Sequence, residues 1–337
     1  MRKNVVDTGA YNSIAVVGAG AWGTALAAVA ARGGRSVTLW AMEPEVVSAI
    51  RDGHVNARFL PGVTLPGSIV ATGELGEATR AEAILLVVPA QHLRAMLGRM
   101  KPLMQAGTPV VLCAKGIERG TGQLLTEVLA DELPECEPAI LSGPSFAKDA
   151  ALGLPTAVTV AARGQVAARL QASLAHDTFR PYASDDLVGV ALGGAAKNVY
   201  AICTGIVAGM NLGESARAAL LARSFAELTR LGEALGARTE TLMGLSGLGD
   251  LVLTAMSPTS RNYAAGLALG GGASLASLLA PGKPLAEGIA TAPALVARAR
   301  AQGIELPIAE TMAAILDGTL TLGDAVPHLM GRPLTTE

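Results

Sequence analysis

Aromatic side chains are scarce in this sequence: four Phe, four Tyr and two Trp, 3% of 337 residues. Any core must therefore be aliphatic, and with half the residues apolar the material for a large one is present. Cysteine is also sparse. Cys113, Cys136 and Cys203 are odd in number and far apart, which excludes a disulfide framework and suits a reducing cytosol. His54, His92, His176 and His328 are scattered, with no pair at ligand spacing on a helix, so no metal site is expected. Runs of lysine or arginine are missing. The net charge is −2, and a nucleic-acid partner, which demands a basic stripe, is not expected. A few well-placed donors could still hold one small anion.

The length favours two domains at roughly 100–200 residues each. Two apolar segments could mislead. Arg2 and Lys3 precede a stretch ending in ALAAVAA that loosely resembles a secretory signal. However, Gly18, Gly20 and Gly23 interrupt it, and Asn12 and Ser13 precede it, so it is read as part of the fold. Ala191–Met210 is long enough to span a bilayer but holds Lys197 and Asn198, and an ionisable side chain is costly in lipid. No membrane span is expected; the segment reads as a buried helix of a soluble protein.

Met1–Asn12 reads as a frayed leader. Ser13–Val17, Ser36–Trp40, Ala83–Val88, Val110–Ala114, Ala139–Ser142 and Ala157–Val160 read as strands. Helical stretches lie between them at Thr24–Arg32, Pro44–Arg51, Leu93–Leu103 and Gln123–Leu133. Continuous apolar runs separated by helices predict a parallel sheet covered on both faces. The pattern stops near Asp185, and the text beyond is helical. The expected class is α/β: an N-terminal Rossmann-type doubly wound sheet, the dinucleotide-binding domain at 1–186, followed by an all-α C-terminal substrate and catalytic domain at 187–337.

Gly18, Gly20 and Gly23 in VVGAGAWGTAL satisfy G-x-G-x-x-G between a strand and a helix, the context that gives the motif meaning. Gly18 permits the tight turn, Gly20 lets backbone approach a pyrophosphate, and Gly23 lets the helix pack on the strand. Free helix N–H groups then face the anion. A dinucleotide clamp is expected. A carboxylate after the second strand would favour NAD, and Glu43 is the nearest. A basic residue would favour NADP, but position 42 is Met42, so NAD and NADP both stay open.

Several polar islands interrupt apolar text. Lys115 follows a buried strand, where ligand crevices form. Lys197 sits in an apolar helix, where desolvation would lower its pKa toward catalytic range; the alternative is a structural ion pair with Asp250 or Asp186. Asp250, in a glycine-bounded turn, reads as a helix cap or as a lysine partner, with the cap favoured on composition. Ser260, Arg261 and Asn262 supply a hydroxyl, a guanidinium and an amide on consecutive residues. They make either a phosphate site at a helix start or an ordinary solvated arginine after a cap.

In order, the segments VVGAGAWGTALA, LLVVPAQ, CAKGIE, LSGPSFAKD, LGGAAKNVYAI, MGLSGLGDLVLT and SRN resemble bacterial NAD(P)-dependent glycerol-3-phosphate dehydrogenases from about Ser13 to Met330. The resemblance implies reversible hydride transfer between NAD(P)H and dihydroxyacetone phosphate, giving sn-glycerol 3-phosphate for glycerophospholipid synthesis in the cytoplasm. By it, Lys197 is the general acid/base and Asp250 orients it. Lys115 contacts substrate and cofactor. Lys197, Gly143, Ser145, Asp250, Ser260, Arg261 and Asn262 complete the substrate site, with the phosphate on Arg261 and Asn262. Ala21, Trp22, Ala147, Arg261, Leu285 and Glu287 join the three loop glycines at the cofactor. Met42, where relatives often carry a basic residue or histidine, and Leu285 in KPLAEG depart from the family pattern. A crevice between the domains is expected to close around the reactants, and a homodimer is an open expectation. The rival readings are another two-domain hydroxyacid dehydrogenase or ketopantoate-type reductase, and a non-catalytic nucleotide sensor.

Overall fold

Aliphatic runs without polar interruption can form strands only where both faces are covered. The computed structural model of the chain describes residues 9–283 and 285–333. Its strands are β1 (Ser13–Val17), β2 (Ser36–Trp40), β3 (Ile69–Thr72), β4 (Ala83–Leu86), β5 (Pro109–Leu112), β6 (Glu137–Ser142), β7 (Thr156–Ala162) and β8 (Phe179–Ser184). They form one sheet in the order β3-β2-β1-β4-β5-β6-β7-β8. Every residue of β4 and β5 is buried. Val17 pairs in parallel with both Trp40 and Leu86, so the strand order reverses beside the end of β1. Such a reversal opens a crevice at the carboxyl ends of the strands.

The all-parallel expectation fails at one place: β7 runs antiparallel to β6. The connection holds only the helix α2 (Ala147–Leu152), numbered after α1 (Ala21–Arg32), and Gly153 at φ 75° then turns the chain back. Two strands escape the sequence reading because they lie at the sheet's edges. β3 has four residues, and β8 carries Pro181, which an edge strand tolerates. The leader expectation also fails for residues 9–12. Tyr11 is buried, its N–H donates to Ser173 Oγ at 2.8 Å, and the Arg169 guanidinium lies 3.9 Å from its ring centre. Arg2 and Lys3 lie outside the described residues.

The chain divides into two compact units: Met1–Ala114 with Leu125–Ala191, and Lys115–Leu124 with Leu192–Glu337. The division falls inside a helix, and the loop 115–124 belongs with the second unit.

The second unit holds α3 (Leu187–Gly209) from Leu192 onward, with α4 (Glu214–Ala234), α5 (Asp250–Met256), α6 (Arg261–Gly270), α7 (Glu287–Ala301) and α8 (Pro307–Asp317). The α3 helix is long and apolar enough to cross a bilayer, yet 94% of its apolar window is buried inside the protein. Glycine explains how it packs. A Cβ on Gly205 would lie 2.2 Å from Tyr263 O, and one on Gly266 would lie 2.0 Å from Ile202 O. The backbones of α3 and α6 therefore touch, closer than any side chain allows.

Pro307 opens α8 without an N–H, and a carboxylate from another helix satisfies the next two donors. Glu227 of α4 accepts from Ile308 N at 2.7 Å and Ala309 N at 3.3 Å, and from the Tyr200 hydroxyl of α3 at 3.2 Å. Burial pushes its carboxyl up from 4.5 to about 7; the hydrogen bonds and Arg230 pull the other way and only partly offset it. A pKa raised by folding contributes stability that is complete below the unfolded value and lost as pH rises through the folded one. The stability of the wild type relative to Glu227→Gln should thus shrink by up to roughly 3 kcal/mol between about pH 5 and pH 8. Urea unfolding of both proteins across that range measures it, and a pH-independent difference would contradict the assignment.

Candidate functional site

In the first unit, the three loop glycines serve three different constraints. Gly18 has φ 112°, and a Cβ there would stand 2.6 Å from Val87 O at the end of β4. At Gly23 a Cβ would stand 1.8 Å from Gly18 O, so the first turn of α1 can press onto the loop. At Gly20 a Cβ would meet nothing within 4 Å: the space beside this backbone is open. Gly20 is also the N-cap of α1, and no side chain caps that helix. An uncapped helix start beside open space at the sheet's reversal point fits a dinucleotide pyrophosphate. Ala21 and Trp22 form the first turn of α1. Asn56, which the sequence reading missed, holds the loop shut from behind. Its Nδ2 donates to Ala19 O and Thr24 Oγ1, both at 2.8 Å. A lone Asn in a polar turn gives no signal of that role.

The end of β6 supplies the other expected residues of this unit. Gly143 has φ 149°, and a Cβ there would lie 2.8 Å from Val158 Cα. Ser145 Oγ donates to Gly143 O at 3.0 Å, and Ala147 begins α2. Beyond β2, Met42 is exposed and Glu43 half-buried at the N-cap of the next helix, Pro44–Gly53.

The second unit brings Lys115, Lys197 and Asp250 into one cluster. Asp250 opens α5 after a π-helical turn at Leu245–Gly249. Glycine makes that turn possible: a Cβ on Gly247 would lie 1.9 Å from Leu242 O, and one on Gly193 of α3 would lie 2.6 Å from Ser246 O. Asp250 does not cap its helix, against the composition-based expectation. Its two carboxylate oxygens are taken by ammonium groups instead, Oδ2 by Lys115 Nζ and Oδ1 by Lys197 Nζ, each at 2.5 Å. Asp186, the other candidate partner for Lys197, accepts from Gly189 N at the start of α3. Lys197 also donates to Thr254 Oγ1 at 2.7 Å, one turn after Asp250 on α5. The sequence reading missed Thr254, although its i+4 spacing from Asp250 carries the signal.

Two of the three charged groups are buried, Lys197 at 6% exposed and Asp250 at 1%, while Lys115 is half-buried. Burial, reinforced by the Lys115 charge, lowers Lys197 to about 7 against the pull of Asp250. Burial raises Asp250, but the two lysines together hold it below the ordinary carboxylate range. An amine poised near neutrality can give a proton or take one.

Ser260 caps α6, its Oγ accepting from Tyr263 N at 3.2 Å. Arg261 follows at the helix start and is exposed. The Asn262 side chain is buried and turned inward. Its Nδ2 donates to Asn198 Oδ1, and its Oδ1 accepts from Gly288 N, both at 2.9 Å. Glu287 opens α7, half-buried, while Leu285 stands exposed in the preceding coil.

Known proteins resemble the chain along most of its length. Residues 13–168 match a family model described as NAD-dependent glycerol-3-phosphate dehydrogenase N-terminus, and residues 186–327 match its C-terminus counterpart. A glycerol-3-phosphate dehydrogenase (NAD(P)+) of Parvibaculum lavamentivorans is 56% identical over 329 residues, 97% of this chain and 99% of its own. One from Bradyrhizobium sp. (strain ORS 278) is 57% identical over 97% of this chain and 98% of its own. The crystal structure of glycerol-3-phosphate dehydrogenase from Coxiella burnetii matches with a TM-score of 0.90 at 40% identity, covering 96% of this chain and 99% of that one. A ketopantoate reductase from Ralstonia eutropha, at TM-score 0.58 and 19% identity over 93% of this chain and 99% of its own, shares the fold alone.

The open space at Gly20 makes the nucleotide clamp testable without harming the fold. Gly20→Ala should leave the protein folded, at a cost of no more than about 1 kcal/mol at the N-cap, and weaken NADH binding by about tenfold or more, because its methyl occupies the anion's approach. Quenching of Trp22 and Trp40 fluorescence reads the affinity; unaltered binding would refute the clamp.

Proposed function

The chain belongs to the NAD-dependent glycerol-3-phosphate dehydrogenase family, and on that premise we propose how its residues divide the work. It is an oxidoreductase that uses NAD(P) and acts on glycerol 3-phosphate. The glycine loop of Gly18, Gly20 and Gly23 would hold NAD(P), which when bound would supply hydride, in its reduced form, to the keto carbon of dihydroxyacetone phosphate, or in its oxidised form accept hydride from the alcohol carbon of sn-glycerol 3-phosphate. In the reading proposed here, residues 1–186 hold the dinucleotide. Residues 187–337, with Lys115, hold and protonate the substrate.

Lys197 is the general acid/base. As ammonium it donates to the carbonyl oxygen while negative charge grows there; as neutral amine it accepts the hydroxyl proton in the reverse direction. The observation that carries this assignment is its burial on Asp250 beside a second ammonium, which sets its pKa to about 7. Asp250 fixes the amine's direction and keeps the pair of lysines from repelling each other apart. Thr254 holds a second Nζ hydrogen, and Lys115 adds positive charge toward the developing oxyanion. Arg261 takes the phosphate, together with first-turn N–H groups of α6 that the helix itself leaves unpaired. Gly143 and Ser145 contact substrate, while Ala147, Leu285 and Glu287 border the cofactor. Binding energy at the phosphate, remote from the reacting carbon, then positions the carbonyl. The nearby carboxylate of Glu43, with no basic group at Met42, inclines the adenosine end toward NAD. The remaining parts of the proposal are a cytoplasmic enzyme, a role in glycerophospholipid synthesis and homodimeric assembly.

Lys197→Ala should lower kcat by about 10²–10⁴-fold with NADH binding intact. In the wild type, kcat for glycerol 3-phosphate oxidation should rise with pH through about 7 and that for reduction should fall, since the two directions use opposite forms of one amine. Normal turnover by Lys197→Ala would remove the acid/base. Arg261→Ala should lose most of the preference for dihydroxyacetone phosphate over dihydroxyacetone. If its discrimination equals that of the wild type, the phosphate lies elsewhere and carboxylate substrates of the ketopantoate type become the panel to test.

A further inference from the structure

Three side-chain and main-chain amides form a line through the second unit. Gly288 N–H, at the start of α7, donates to Asn262 Oδ1 at 2.9 Å. Asn262 Nδ2, on α6, donates to Asn198 Oδ1 at 2.9 Å. Asn198 Nδ2, on α3, donates to the main-chain oxygen of Lys115 at 3.0 Å. Every donor points the same way, so the bonds polarise one another and the orientation of both side-chain amides is fixed. Asn198 is 4% exposed and Asn262 8%, so unpaired amide groups at either position would be costly. The start of α7 cannot shift away freely either: a Cβ on Gly288 would lie 2.4 Å from Asn198 O.

We propose that Asn198 and Asn262 are positioning residues: their relay, anchored at the start of α7, sets the main chain of Lys115 so that its ammonium stays on Asp250 opposite Lys197. The loop 115–124 is drawn together locally by a bridge between Ile117 and Leu124, and the relay ties its first residue to three helices. Asn198 is the residue after Lys197, so one turn of α3 fixes the acid/base and, through its neighbour, the main chain behind the second ammonium. The Asn262 side chain spends both polar ends on the protein; a phosphate at this helix start meets its main-chain N–H. The inference rests on reading Lys197 as the acid/base.

The consequence is electrostatic. The charged groups facing Lys197 are Asp250 on α5 and Lys115 on the loop, and Lys115 helps hold Lys197 down. If the relay is cut and Lys115 drifts, Lys197 should become more basic. Asn198→Leu, which preserves bulk, should lower kcat about tenfold or more and move the Lys197 limb of the pH profile up by roughly one unit. Asn262→Leu should move it the same way by less. The double variant should be no worse than Asn198→Leu, because both act through one chain. Asn198→Ser, too short to reach Lys115 but still polar, replaces Asn198→Leu if that variant does not fold, and the same shift is expected. Folded variants at position 198 with the wild-type limb and kcat would overturn the proposal, as would losses that multiply in the double variant. Lys197→Ala measured alongside separates the two ideas. If it retains turnover, the acid/base reading fails. If it is inactive while the position 198 variants behave as wild type, the relay alone fails.

Discussion

One carboxylate shared by two ammonium groups is the constraint on which the second unit is built. Lys197 lies on an apolar helix where a bare charge would cost several kcal/mol, and it would neutralise rather than stay there unpaired. Asp250, itself almost wholly buried, makes the charge tolerable and is in turn held ionised by Lys115 and Lys197. With two positive charges and one negative, the cluster keeps a net positive character around two buried side chains. Burial, with that excess as the smaller contribution, lowers Lys197 to about 7.

Glycine is what lets this cluster assemble. A short carboxylate can meet two lysines only if the backbones carrying them come close. Gly193 and Gly247 bring the π-helical turn before Asp250 against α3 and against Leu242. Gly205 and Gly266 bring α6 against α3 in the same manner, and Gly288 brings α7. Each of these contacts occurs at a distance where a methyl group would strike a carbonyl oxygen. The abundance of glycine in the helical half is thus a packing requirement there. In the glycine loop of the first unit it is partly a conformational one, since Gly18 needs φ 112°.

Much of the fold was legible because its signals are local. β1, β2 and the helix starting at Pro44 lie within a few residues of their expected bounds, since aliphatic runs and helix punctuation act over short stretches. What failed was non-local. The reversal at β7 follows the left-handed turn at Gly153, and strand periodicity carries no direction. β3 and β8 are edge strands whose weaker patterns are rescued by pairing with a neighbour. Asp250 resembled a cap because composition sees its glycine-bounded turn but not the lysines that arrive from 135 and 53 residues away.

The sequence alone determined the alternation of buried strands and helices, the three-glycine loop before α1, and the identities of the ionisable residues set in apolar text. Those follow from hydrophobic periodicity and backbone sterics, which operate between near neighbours. Only the tertiary structure decided that Lys115 and Lys197 share Asp250, that Thr254 completes the amine's contacts, and that Asn262 faces inward. Hydrogen bonds and charge pairs are satisfied in space, and only the packing of α3, α5, α6 and the loop 115–124 brings those partners within reach.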